Sequence, residues 1–337
     1  MATSAPRDPY LDNARAILIA LVVVGHLLQA VETYSANIVV QWVYAFHMPA
    51  FVLVTGHLSR SYRGTPQQAG RLFTTLIVPY LVFQTIHDVA RALYLDRPVS
   101  VSYVTPAWTL WFLVALCAWR LATPVLQALR HPLLLALAVS LAAPLDAAVG
   151  PELSVGRILG MAPFYVAGLV LTREHLMRLR RPWVRVASGA LLLGGLVASW
   201  AYDDTVTASW FFMNRSHADL EQSAVAGLGI RALGLVVGFA GTAAVLALTP
   251  GGQHWWTRTG RYSLYVYLLH PFVLFPVRYG EAGYAWTETT HTVALVLVGV
   301  VLAAALASPP VVAIARWVVE PPFLRALLRR TDTAPRT

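Results

Sequence analysis

The chain contains no lysine: all 25 of its basic residues are arginines. A lysine Schiff base or a lysine nucleophile is therefore excluded. Cysteine is nearly absent as well. The single Cys117 excludes an internal disulfide or a multi-thiolate metal site, no metal is expected, and among apolar neighbours the thiol reads as packed. Charge is scarce: charged residues are 12% of the 337 and hydrophobic residues 57%. A soluble domain carries about 25% charged residues, so this composition excludes a soluble enzyme, a disordered chain and a coiled coil. Neither an internal repeat nor a low-complexity linker stands out. No cleavable signal peptide is expected, because the first apolar run carries Asp12, Arg15 and His26 and lacks a small-residue cleavage site. The net charge of +9 comes from arginines scattered between apolar runs, not from a basic stripe, so no nucleic-acid partner is expected.

What is present is a series of apolar stretches, each near the ~20 residues that cross a bilayer. They are expected at Leu11–Val31, Ile38–Leu58, Leu72–Tyr94, Trp108–Leu129, Pro132–Val149, Val155–Thr172, Trp183–Ala201, Ala224–Leu248, Tyr262–Arg278 and Thr290–Val319. Pro144, Asp146 and Pro151 interrupt the fifth and sixth, and Pro309 and Pro310 should kink or break the last. The connections alternate in charge. Arg60, Arg63, Arg71, Arg120 and Arg130 lie on one side, with Arg173 to Arg185, Arg258, Arg261, Arg325, Arg329 and Arg330. Asp96, Asp146, Glu152, Asp203, Asp204, Glu281 and Glu288 lie on the other. The positive-inside rule then puts both termini in the cytoplasm, which needs an even number of spans. The expected fold is all-α: an integral membrane bundle of about ten transmembrane helices, one domain over 1–337 with short cytoplasmic tails near 1–10 and 321–337. Arginine in place of lysine, with abundant Ala and Val, points to a GC-rich bacterium and its cytoplasmic membrane.

Ionisable groups inside a bilayer are expensive and mark functional sites by default. Arg15 and His26 are eleven residues apart, which on a helix leaves them within about 20° of one face and roughly 16 Å apart along the axis. Asp12, one turn before Arg15, is placed to pair with it. His47 and His270 lie near the centres of the second and ninth spans. One histidine alone reads as a core residue; three at similar depth suggest a shared polar site suited to general-base work. His57 reads as interfacial, His131 and His175 as solvated. His87 and Asp88 belong either to an acceptor site or to each other. Trp108 and Trp111 read first as an aromatic belt and second as a stacking platform for a sugar. The segment Tyr202–Ser223 reads either as a piece lying over the outer mouth or as belt.

Several of these residues form a familiar series. Asp12-x-x-Arg15 with Gly25-His26 resembles the first-helix signature of the family-3 membrane acyltransferases. Phe46-His47-Met48-Pro49 with Thr55-Gly56-His57-Leu58 resembles the second-helix motif, in which Ser-Gly-Tyr usually stands at Thr55–His57. Arg71 with Val78-Pro79-Tyr80, Trp111-Phe112-Leu113, Phe164-Tyr165-x-x-Gly168, and Ser263-Leu264-Tyr265 through His270 follow in the order of the sugar O-acetylase branch. An appended esterase-like domain, found in some members, is not expected.

The resemblance implies a ten-helix enzyme that moves an acyl group, commonly acetyl, from cytoplasmic acyl-CoA to a hydroxyl of a glycan, lipid-linked sugar or small molecule. Arginine forks suit the donor phosphates, and Arg15, Arg60, Arg63 and Arg71 are the candidates. His26 is the expected general base; a covalent acyl-imidazole on it is the alternative. His47 and His270 are expected to orient His26, to stabilise the oxyanion or to bind the acceptor. The expected cavity is lined by Arg15, His26, His47 and Arg71 and opens to the cytoplasm, with Asp203, Asp204, Trp210 and Phe211 at an outer mouth. A proton-coupled transporter or flippase and a haem-binding electron carrier are the rival classes.

Overall fold

The computed structural model describes residues 8–31, 33–202, 205–280, 289–321 and 324. Asp203, Asp204, Glu281, Glu288, Arg325, Arg329 and Arg330 lie outside the described residues, among which every regular element is helical. The first helix, α1 (Pro9–Leu28), starts where the Asp8 carboxylate accepts from the Tyr10 amide, with Pro9 in the first turn, where its missing N–H is not needed. Next, α2 (Tyr34–Leu58) is capped by the Thr33 hydroxyl on the Ala36 amide. A capping box of Thr65 and Gln68 opens α3 (Pro66–Tyr94). That helix widens into one π turn over Phe73–Ile77, just before Pro79, and such a turn absorbs the amide that proline lacks.

The chain continues through α4 (Trp111–Ala128), α5 (Pro132–Ala142), α6 (Val155–Val170), α7 (Arg173–Leu179) and α8 (Pro182–Ala201). It ends with α9 (Ser209–Phe212), α10 (Ala224–Leu248), α11 (Thr257–Arg261), α12 (Ser263–Tyr279), α13 (Thr289–Leu306) and α14 (Pro309–Val319). Eight helices among the described residues are long and apolar enough to cross a membrane: α1 to α4, α6 with the turn before it, α8, α10 and α13. Two of the ten expected stretches, the fifth and the ninth, stand outside this set for local reasons. The fifth expected stretch stops being α-helical at Ala142 and passes through a 3₁₀ turn containing Pro144. The ninth is α12, whose 17 residues extend about 25 Å. The tenth expected stretch divides at Ser308, because Pro309 starts a new helix, leaving α13 to cross and α14 as an 11-residue piece.

At the centre stand α1 and α2. Packed on α2 are α6 and α10, while α1 is covered by α11, α12 and α13. α8 sits outside, its large apolar side chains exposed, as Val186 and Leu193 show, which is the surface a lipid-facing helix presents. The α2–α6 crossing is set by two glycines. A Cβ on Gly56 would overlap the Tyr165 carbonyl, and one on Gly168 would overlap the Leu53 carbonyl. Backbones that approach this closely gain dispersion contact where lipid offers no hydrophobic drive. Two motif glycines thus act by packing, and they hold α2 in the register that places His47.

Candidate active site

His26, on the last turn of α1, meets α12 edge to edge. Its Nδ1 lies 2.9 Å from His270 Nε2. The two ring planes differ by 4° with centroids 5.2 Å apart, so the nitrogens are closer than the centroids by about two ring radii. That is an in-plane N–H···N hydrogen bond, not a stack. His270 Nδ1 lies 2.9 Å from the Val266 carbonyl, one turn back on α12. A carbonyl only accepts, so His270 carries its proton on Nδ1 and its Nε2 is the acceptor. His26 must then donate from Nδ1, and its Nε2 keeps the lone pair. Two hydrogen bonds thereby set the tautomers of both neutral rings.

His47, fully buried on α2, donates from Nδ1 to the Val43 carbonyl at 2.8 Å, which leaves its Nε2 as an acceptor too. Tyr44 links the rings: it meets both edge to face, its ring centroid 4.7 Å from that of His47 and 6.4 Å from that of His26, and its hydroxyl donates to Gln29 Oε1 at 3.3 Å. Gly25 makes room for it, since a Cβ there would come within 2.9 Å of Tyr44 Cε2. His26 and His47 face a cavity of about 340 Å³, within the range of small-ligand sites. Met48 and Phe51 of the second-helix motif, Trp111 and Phe112 of the fourth stretch, and Tyr267 of the ninth also line it. Four of the scattered motifs, those of His26, His47, Trp111 and Tyr267, converge on one space.

Trp108 and Trp111 line this cavity and do not form a belt. Trp108 adopts φ +33°, a left-handed conformation that is costly for a bulky residue. Its ring lies 5.1 Å from that of His26. The segment after α8 also folds inward: Phe211, Phe212, Asn214 and Arg215 close one side, with Phe212 5.1 Å from Tyr44. This part of the segment therefore lies against the histidine cavity. Arg157 of α6 and Arg278 of α12 are cavity residues that sequence reasoning missed. Arg157 was visible as an arginine inside an apolar stretch; Arg278 was disguised as a span end.

The arginines expected with the histidines lie elsewhere. The shared face of Arg15 and His26 does exist, but it packs along α12. Arg15 donates to Ser263 Oγ at 2.9 Å and pairs with Asp12 at 3.3 Å, while Arg261 reaches the other Asp12 oxygen at 3.3 Å. Neither Arg15 nor Arg71 lines the histidine cavity. Arg71 instead borders a separate depression of about 180 Å³ with Arg120, Ser59, Tyr62 and Gln68, beyond the far end of α2. Arg60 donates to the Leu171 carbonyl at 2.7 Å, and Arg63 to the Arg60 carbonyl at 2.7 Å and to Gln127, so both close helix ends. The cavity's other walls, Gln29, Trp108 and Arg215, belong to the opposite end of the bundle, so the expected opening beside Arg15 and Arg71 is not where this cavity sits. Asp88 bonds Gln84, Ser102 and Arg91, anchoring the loop before α4, and His87 packs on Phe272 and Phe275 outside the cavity. Among the described residues no group of His, Cys, Asp and Glu is arranged to hold a metal.

These features define a multi-pass helical membrane protein with an internal site centred on histidine. A family model described as an acyltransferase domain matches residues 8–308, and the chain belongs to that family, the family-3 acyltransferases. It is also similar to the nodulation protein NolL of Mesorhizobium japonicum, 33% identical over 88 residues, a stretch covering 24% of this chain and 24% of that protein. The chain thus matches about a quarter of the length of that curated relative. No solved structure matches.

Proposed function

We propose that this protein is an O-acyltransferase of a bacterial cytoplasmic membrane that moves an acyl group, acetyl by preference, from cytoplasmic acyl-CoA to a hydroxyl on a sugar, lipid-linked or small-molecule acceptor. The observation that carries this reading is the hydrogen-bond chain from His26 Nδ1 through His270 to the Val266 carbonyl. It leaves the His26 Nε2 lone pair for the cavity, where a general base needs it. In the proposed reaction His26 Nε2 takes the acceptor's hydroxyl proton as the oxygen attacks the thioester carbonyl. The carbon–sulfur bond then breaks, the proton passes to the departing thiolate, and an ester and free CoA result. His270 orients the base, as the third group of a triad does. His47 Nε2 is suited to accept a hydrogen bond from the acceptor, since its Nδ1 proton is committed to Val43.

For the donor, the depression beside Arg71 and Arg120 supplies the phosphate site. Eleven residues of α2, about 16 Å, separate Leu58 at its rim from His47 in the cavity, a distance that an extended pantetheine arm spans. The topology in this reading is ten crossings, with α5 and α12 completing the eight, and both termini in the cytoplasm. The test is transfer from [¹⁴C]acetyl-CoA in membranes that hold the full chain. His26→Ala is expected to abolish transfer while the protein still inserts and purifies as a monodisperse species. Near-wild-type turnover in that variant would remove His26 from the chemistry, and wild-type membranes that never use acyl-CoA would overturn the reading itself.

A further inference from the structure

The histidine cavity holds a second set of residues that proton transfer does not need. Arg157, Arg215 and Arg278 all line it, and no carboxylate does among the described residues. None of the three takes part in an ion pair among those residues. Arg157 donates from Nε to the Phe212 carbonyl at 3.3 Å and lies 4.8 Å over the Trp111 ring. Arg278 lies 4.2 Å over Trp108, and its Nε is buried without a hydrogen-bond partner. Guanidinium groups lying over two indoles keep their charge, and a cation inside the bundle with no carboxylate beside it is matched by an anionic ligand. The planar forks fit the oxygens of a phosphate or carboxylate.

Building on the acyltransferase reading, we propose that the acceptor is itself an anion, whose phosphate or carboxylate group is held by Arg157 and Arg278 with Arg215 at the rim. Trp108 touches both functions: its ring centroid is 5.1 Å from that of His26 and 4.2 Å from the Arg278 guanidinium carbon. A hydroxyl presented to His26 therefore belongs to a molecule whose acidic group sits within a ring or two of it, as in an acidic sugar or a sugar phosphate. The left-handed backbone at Trp108 is a local cost that the contacts around the indole outweigh to keep it in this position. Donor phosphates share the same chemistry, but the acyltransferase reading assigns them to the depression beyond the far end of α2, at Arg71 and Arg120.

The experiment labels native membranes containing the full chain with [¹⁴C]acetyl-CoA and resolves the product from residual donor by reverse-phase and anion-exchange chromatography. The product is expected to bind the anion exchanger before ester hydrolysis. Arg157→Gln and Arg278→Gln should each raise the KM for acceptor extract by about tenfold or more at unchanged KM for acetyl-CoA, and Arg278→Lys should recover part of it. A labelled product that passes through the exchanger as a neutral species overturns the proposal. So does a rise in KM for acetyl-CoA alone, which would assign the arginines to the donor. If wild-type membranes transfer no label, the acyltransferase reading fails and calorimetry on the purified protein decides the site. There, inorganic phosphate or glucose 1-phosphate should bind at least about tenfold more weakly to both Gln variants, whereas glucose should not bind. Absence of binding by both anions overturns the site.

Discussion

His270→Phe isolates the orienting bond from the chemistry. Phenylalanine keeps an aromatic ring in the fully buried His270 position but offers no acceptor to His26 Nδ1, which stands 2.9 Å away. A buried donor left without its partner costs about 1–3 kcal/mol, or roughly one to two decades in rate if the loss falls on the productive geometry. The neutral imidazole also loses the bias that keeps its proton on Nδ1. When the proton moves to Nε2 the cavity-facing lone pair disappears, and in a comparable triad the wrong tautomer costs about 10⁴ in kcat. The expected fall in kcat is therefore about 10²- to 10⁴-fold, with KM for acyl-CoA unchanged. His270→Gln should recover part of this, because its amide oxygen can accept from His26. Steady-state transfer with both variants, alongside detergent size-exclusion profiles, provides the measurement. A well-folded His270→Phe protein with kcat within about twofold of wild type would refute the relay, and a rise in KM for acyl-CoA at constant kcat would make His270 a donor-binding residue instead.

Two further predictions concern other parts of the bundle. Arg71→Ala and Arg120→Ala should each weaken acyl-CoA binding by about tenfold in calorimetry while Arg71→Lys recovers only part, since an ammonium offers no planar fork; unchanged affinity in both alanine variants would return these residues to a structural role. Gly168→Leu should destabilise the protein by about 1–3 kcal/mol or more, because its side chain would enter the Leu53 carbonyl across the α2–α6 crossing. A thermal unfolding midpoint equal to wild type would show that this crossing tolerates separation.

What the amino-acid sequence determined by itself follows from quantities that are local along the chain. A low charge fraction and long apolar runs dictate a helical membrane bundle, because backbone amides in lipid must be satisfied within their own segment. Helical periodicity put Arg15 and His26 on one face, and α12 indeed packs along it. The ordered motifs identified the family. Helix ends were legible where proline and a capping side chain coincide, as at Asp8–Pro9 and Thr65–Pro66.

Only the tertiary structure decided what faces what. Periodicity assigns a face without naming its neighbour, so it could not reveal that Arg15 meets Ser263 and Asp12 while His26 meets His270. It could not separate Arg71, beside Arg120, from Arg60 and Arg63, whose guanidinium groups close helix ends, because all three look alike as basic loop residues. Arg157, Arg278 and Trp108 became cavity residues through contacts between segments more than 40 residues apart, and a carbonyl one turn before His270 settled the tautomer of a ring on another helix. Side-chain chemistry is written in the sequence; the direction of a lone pair is set by packing, which depends on every helix at once.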